Sequence, residues 1–169
     1  LFIEEDEGPA IANFQFSTGS VSESSVSGLV MQIPFSGPAQ GPGSVTITWA
    51  SNNAAYESNF TTLPAAAGHT ISYAIADGAE GITLTLVPKD DSYFHENFVV
   101  VFEITAATGS VRAGTSNRTT ITITEDESPS FASFPVTDAS ISEAAAVPLV
   151  VPVSLSIPAS EVGTITVSF

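Results

Sequence analysis

The sequence has no cysteine and very few cationic side chains. Without cysteine it has neither a disulfide framework nor a thiolate metal site. Only three Lys and Arg residues stand against 18 acidic residues, and the formal net charge is −15. Nucleic-acid binding needs clustered Lys and Arg, and docking on an anionic membrane needs a basic surface. The composition therefore argues against both classes of partner.

Long apolar runs and helical periodicity are also lacking. No apolar stretch approaches the ~20 residues of a membrane-spanning helix, so we expect no membrane insertion. Twelve Gly and eleven Pro residues interrupt the chain throughout, while a hydrophobic content of 43% excludes intrinsic disorder. No nucleophile, base or cofactor motif can be assembled from residue spacing, and we therefore expect a protein that is not an enzyme.

One segment of the sequence occurs twice. Residues 121–169 align with residues 1–49 without a gap, and seventeen of the 49 paired positions are identical. A fixed offset of this kind is typical of a tandem array, here with a repeat of about 120 residues. We interpret residues 1–7 as the last strand of a preceding repeat, 8–127 as one complete domain, and 128–169 as the first strands of a following, incomplete repeat.

Short runs in which Val, Ile and Thr alternate between turn residues predict strands throughout the complete repeat. We expect a first strand over 11–16 that is broken near Thr18 and Gly19 and resumes over 20–23. Further strands are expected over 29–35, 45–50, 69–75, 81–87, 97–106 and 118–124. We expect residues 76–80 to form a hairpin turn and 97–106 to be a central strand covered on both faces. The pattern predicts an all-β, immunoglobulin-like, seven-stranded β-sandwich.

Acidic residues gather at strand ends in three clusters, which are Glu23, the loop containing Asp90, Asp91 and Glu96, and the segment Glu125, Asp126 and Glu127. Strand order places the second and third clusters at the same end of the sandwich. Two carboxylates about 5 Å apart repel by roughly 3 kcal/mol at an effective dielectric of ~20. Ligand sets made only of oxygen favour Ca²⁺. The alternatives are a solvated linker at 125–127 and a simple turn at 90–91.

The ordered set of motifs resembles the Calx-beta domain. The resemblance is carried by Val21-Ser22-Glu23, by Asp90-Asp91 with Glu96-Asn97-Phe98, and by Thr122-Ile123-Thr124-Glu125-Asp126-Glu127. It implies calcium bound at the end of the sandwich that faces the next domain. The implied ligands are Glu23, Asp90, Asp91, Glu96, Glu125, Asp126 and Glu127.

Two positions depart from that family's pattern. Asn59, in Ser58-Asn59-Phe60, stands where the family often has Asp, and His95 occupies a commonly acidic position. The loop before Glu96 is also one residue short. These differences imply fewer ions, or weaker binding, than in the best members of the family.

The resulting functional expectation is a calcium-binding structural repeat of a secreted or cell-surface protein. Its partners would be neighbouring repeats, and calcium at the junctions would stiffen a spacer or adhesin. Three alternatives stay open at this point. They are a regulatory calcium sensor, a filament or sheath subunit assembled by strand addition between copies, and a carbohydrate-binding module. The last would use aromatic side chains, namely Trp49, Tyr56, Phe60 and Tyr73.

Overall fold

The computed structural model describes residues 8–144, 146–158 and 163–168. The strand expected at residues 1–7 lies outside the described residues. The described chain divides into two compact units. The first contains residues 8–91 and 96–126, and the second contains residues 92–95 together with the described residues from 127 onward.

The described residues form strands and no helix. The first unit contains β1 (Ala10–Ala12), β2 (Thr18–Ser22), β3 (Leu29–Pro34), β4 (Gly43–Ser51), β5 (Phe60–Leu63), β6 (Thr70–Ile75), β7 (Gly81–Pro88), β8 (Phe98–Gly109), β9 (Val111–Ala113) and β10 (Arg118–Thr124). The second unit contains β11 (Ala132–Ser133) and β12 (Ser154–Leu155). A search of the described residues for a helix long and apolar enough to cross a membrane found none.

The first unit is built from a five-stranded sheet, with the order β2-β10-β8-β4-β6, and a three-stranded sheet, with the order β3-β7-β5. Strand β1 pairs in parallel with β9, and β2 pairs in parallel with β10. Alternation along each strand buries one face. In β4, for example, Val45, Ile47 and Trp49 are buried between partly exposed threonines. One hydrophobic cluster contains residues of both sheets, which confirms the all-β sandwich.

The seven-strand count is not confirmed, because several expected strands are divided or were not foreseen. The first expected strand divides at residues 13–17, so that β1 joins β9 and β2 joins the five-stranded sheet. Strand β5 lies in a stretch that the sequence pattern left irregular. Strand β9 follows a turn at Gly109, whose φ is +68°. A Cβ at this position would clash with the carbonyl oxygen of Pro42, so the turn requires glycine.

The hairpin expected at residues 76–80 is wrong. Strand β6 pairs with β4, whereas β7 pairs with β3 and β5, so the segment between them crosses from one sheet to the other. The crossing places Ile71 and Leu84 in the same core from opposite sheets. Strand β8 is central in its sheet, as expected, but it is not covered on both faces, because Val99 is 38% exposed.

Tyr73 connects the two sheets and offers a test of this crossing. Its hydroxyl, on β6, donates a hydrogen bond of 2.9 Å to the carbonyl of Thr83 on β7, and burial raises the pKa of Tyr73 to about 12. The pKa of this phenol is higher in the folded protein than in the unfolded protein, where it is about 10. The neutral phenol therefore contributes its full stabilisation of the fold at pH values below about 10. That stabilisation is lost as the pH rises through about 12. We expect the tyrosinate absorbance to show a step near this pH that Tyr73→Phe removes. Substitution of the exposed Tyr93 by Phe is the control, and a step that persists in Tyr73→Phe would contradict the burial of Tyr73 between the sheets.

Candidate metal centre

Glu23 directly follows β2, and its side chain is only 2% exposed. The parallel pairing of β2 with β10 sets this position. Ser22 is in register with Thr124, and the backbone N–H of Glu23 donates to the carbonyl of Thr124 at 2.9 Å. Because the two strands run in the same direction, the residues that follow each of them emerge at the same edge of the sheet. Glu23 and Glu125 are therefore neighbours although about a hundred residues separate them.

Three carboxylates meet at this edge, and we call Glu23, Glu125 and Asp126 the acidic cluster. Each side chain offers one oxygen, and these oxygens lie within 4.8 Å of one another. Glu23 is buried, Glu125 is partly buried and Asp126 is exposed. At such separations each pair of negative charges repels by roughly 3 kcal/mol at an effective dielectric of ~20. The arrangement is therefore one that a cation would relieve.

The donor set of the acidic cluster fits calcium. Calcium binds oxygen at about 2.3–2.6 Å, so two ligand atoms of one ion lie no more than about 5.2 Å apart. The spacing of the cluster oxygens is within that limit. One face is open through the exposed side chain of Asp126, which leaves room for water to complete the six to eight oxygens that calcium takes.

Asn97 supports the cluster, although the sequence analysis did not select it as a site residue. Its Oδ1 accepts a hydrogen bond from the backbone N–H of Glu125 at 2.9 Å. Its carbonyl accepts from Nδ2 of Asn53 at 3.0 Å, and Oδ1 of Asn53 accepts from the N–H of Val99 at 3.2 Å. The start of β8 and the long loop after β4 thus hold the segment that follows β10. Its place in the motif Glu96-Asn97-Phe98 was the signal available in the sequence.

The other predicted ligands are placed differently. Asp90 and Glu96 are exposed and Asp91 is partly buried. Within the described residues, none of these three belongs to a group of three or more candidate ligand atoms as close as those of the acidic cluster. Glu127 belongs to the second unit. All four remain predictions as metal ligands.

Two of the aromatic residues considered for sugar binding, Trp49 and Phe60, pack in the core of the first unit. Trp49 is 7% exposed and lies 5.1 Å from Phe60 in an edge-to-face arrangement, measured between ring centroids. Its indole N–H donates to the carbonyl of Gly68 at 3.1 Å. A ring held in this way presents little of its face for stacking on a sugar.

We expect Asn97→Ala to destabilise the first unit by about 1 kcal/mol, because the N–H of Glu125 loses its acceptor. Urea unfolding followed by tryptophan fluorescence would measure the change in the free energy of unfolding. Asn52→Ala, at an exposed position in the neighbouring loop, is the matched control and should change this free energy by less than about 0.5 kcal/mol. Equal effects of the two substitutions would refute the supporting role of Asn97.

No protein-family model and no curated protein matches this sequence. Solved structures do match. The apo form of the Calx CBD1 domain is 14% identical with a TM-score of 0.57, and the match covers 70% of this chain and 98% of that one. The Calx CBD2 domain is 12% identical with a TM-score of 0.54, and the match covers 67% and 85% of the two chains. The calcium binding domain CBD12 of CALX1.1 is 15% identical with a TM-score of 0.56. That match covers 68% of this chain but only 44% of CBD12. The chain has a Calx-beta-like β-sandwich fold.

Proposed function

We propose that this chain is a non-catalytic, calcium-binding structural repeat of an extracellular or cell-surface protein. The observation that carries the proposal is the burial of Glu23 beside Glu125 and Asp126. A carboxylate removed from water is costly unless opposite charge and hydrogen bonds compensate for it. Calcium, when bound, supplies two positive charges and accepts these oxygens as ligands.

Glu23, Glu125 and Asp126 would hold the ion. The backbone of Glu23 is fixed by β10, and the backbone of Glu125 is fixed by Asn97, so the ligands are partly positioned before the ion arrives. The likeness in fold to a structure described as a calcium binding domain supports this choice of metal.

The proposed location and mechanical role rest on charge and chain order. Calcium modules of extracellular proteins bind at about 10⁻⁴–10⁻³ M, a range that is reached outside cells and not in the cytosol. The acidic segment 125–127 is also where the chain passes from the first unit to the second. We propose that bound calcium cancels the repulsion within this segment and restricts bending, so that successive repeats act as a spacer or adhesin stalk.

Millimolar calcium should raise the melting temperature of the protein. At 1 mM calcium, a dissociation constant of 10⁻⁴–10⁻³ M adds about 0.4–1.4 kcal/mol to the unfolding free energy, which corresponds to about 2–6 °C for a domain of this size. EDTA should reverse the increase. Calorimetry with calcium and with magnesium measures the effect and its selectivity.

Glu23→Gln should reduce the calcium-dependent increase to less than about half, because the buried ligand loses its charge. The matched control is Glu80→Gln, which changes an exposed carboxylate outside the cluster and should leave the increase intact. Circular dichroism checks that both variants fold. An unchanged melting temperature in calcium, or the same response in both variants, would refute the proposed site.

The stiffening role predicts a change in the solution shape of the whole chain. Small-angle X-ray scattering should give a narrower distribution of maximum dimensions in calcium than in EDTA, because the restraint on segment 125–127 removes bent arrangements. Glu23→Gln should scatter alike under both conditions. If calcium raises the melting temperature but leaves the scattering unchanged, the site exists and the mechanical role is wrong.

A further inference from the structure

A cavity of about 510 Å³ opens in the first unit, next to the loop that follows β4. We call it the aromatic cavity, because its lining includes Trp49, Tyr56 and His69. The acidic residue Glu57 also lines it. Its volume is in the range of sites that hold small organic molecules. The proposed calcium site uses none of these residues.

The three rings of the aromatic cavity are held in place by one another and by the backbone. The centroid of the Trp49 ring lies 4.3 Å from that of His69 and 5.7 Å from that of Tyr56. The indole N–H of Trp49 donates to the carbonyl of Gly68 at 3.1 Å, and Nδ1 of His69 lies 3.3 Å from the carbonyl oxygen of Trp49. The hydroxyl of Tyr56 accepts from the N–H of Ala66 at 2.9 Å. Rings fixed in this way lose little conformational entropy when a ligand binds.

Glu57 is held at the cavity in a backbone conformation that few side chains adopt. Among the described residues, it is the one residue other than glycine with a positive φ, which is +69°. Its N–H donates to the carbonyl of Phe60 at 2.8 Å, and Nζ of Lys89 donates to its carbonyl. Its carboxylate is exposed and forms no hydrogen bond or ion pair within the described part of the chain. Strained backbone of this kind collects at ligand-binding sites.

The charge of the protein favours a cation in the aromatic cavity. With a formal net charge of −15, the chain attracts cations and repels anions. Glu57 adds a negative charge at the cavity itself, and the nearby Lys89 contacts its carbonyl rather than its carboxylate. Aromatic rings attract a cation that lies within about 6 Å of a ring centroid. Because the three rings are neighbours, more than one of them acts on the same ion.

We propose that the aromatic cavity binds a free quaternary ammonium ion, such as choline. An ammonium ion that carries N–H groups needs several hydrogen-bond acceptors, whereas the methyl groups of a quaternary ion need only apolar contact. The cavity supplies that contact through Ala54, Ala55 and Ala66 in addition to the rings. The carboxylate of Glu57 balances the charge of the ion. This binding is independent of calcium at the acidic cluster.

The test is a titration of the full chain with choline chloride, in EDTA and at constant ionic strength. Trp49 is the one tryptophan of the chain, so its fluorescence reports directly on the cavity. Choline should change this fluorescence saturably. The alcohol 3,3-dimethylbutan-1-ol has the shape of choline without its charge and should bind at least about 10-fold more weakly. Equal binding of the alcohol, or no saturable signal with choline in fluorescence and in titration calorimetry, would overturn the proposal.

Glu57→Gln should weaken choline binding by about 10-fold, because the cavity loses its carboxylate charge. The matched control is Glu80→Gln, which removes the same charge from another exposed glutamate of the first unit and should leave choline binding unchanged. Circular dichroism checks that both variants fold. Equal weakening in the two variants would show that the overall charge attracts choline, and would overturn the assignment to the cavity.

Glu57→Gly separates ligand binding from folding. Glycine adopts a positive φ without strain, so this variant should have a higher melting temperature than the parent chain. It should nevertheless bind choline about 10-fold more weakly, because the carboxylate is gone. Choline binding that survives in Glu57→Gly would overturn the role of Glu57.

Phosphocholine tests whether the ligand is a free cation. It carries the same quaternary ammonium group, but the negative field of the protein repels its phosphate. It should therefore bind more weakly than choline in the same titration. Equal or tighter binding of phosphocholine would overturn the choice of a free cation.

Discussion

The parallel pairing of β2 with β10 is the constraint on which the first unit depends. It joins the beginning of the domain to its end, and so adds an edge strand to the five-stranded sheet through contacts between residues about a hundred positions apart. Such a long-range contact costs loop-closure entropy, which the burial of Val21 and of its register partner Ile123 offsets. The same pairing directs the chain after β2 and the chain after β10 to one edge of the sheet. Assembly of the sheet and assembly of the acidic cluster are therefore a single event.

Next to that pairing, backbone hydrogen bonds to neutral groups fix two residues of the acidic cluster. Glu23 is fixed through its N–H by Thr124, and Glu125 is fixed through its N–H by Asn97. These bonds fix the backbone at Glu23 and Glu125 through groups that carry no charge. A site of this kind joins metal binding to folding, because the ligands come together only when the sheet has formed.

The second unit carries the sequence pattern of the opening strands of the first unit. Its first strands reproduce the register and the hydrogen bonds of the first unit, yet its interior positions stay exposed. The same local pairing, between residues equivalent to β1 and the end of β3, therefore occurs in both units. In the first unit, burial of the apolar residues also depends on β6, β7 and β8, which come later in the chain.

Several features follow from the sequence alone. Alternating Val, Ile and Thr define the strands and their inward faces, as in Val45, Ile47 and Trp49, because a two-residue period is written directly in the chain. The scarcity of cations and the acidic motifs predicted oxygen ligands, and the exact offset between the copies predicted a tandem repeat. Tertiary structure decided which strands pair. Residues 76–80 look like a hairpin turn and instead cross between sheets, since the choice depends on where the apolar faces of β6 and β7 are buried. It also decided that Glu23 meets Glu125 and Asp126 and that Asn97 supports them, because neither the parallel register nor a hydrogen bond between distant segments leaves a local pattern in the sequence.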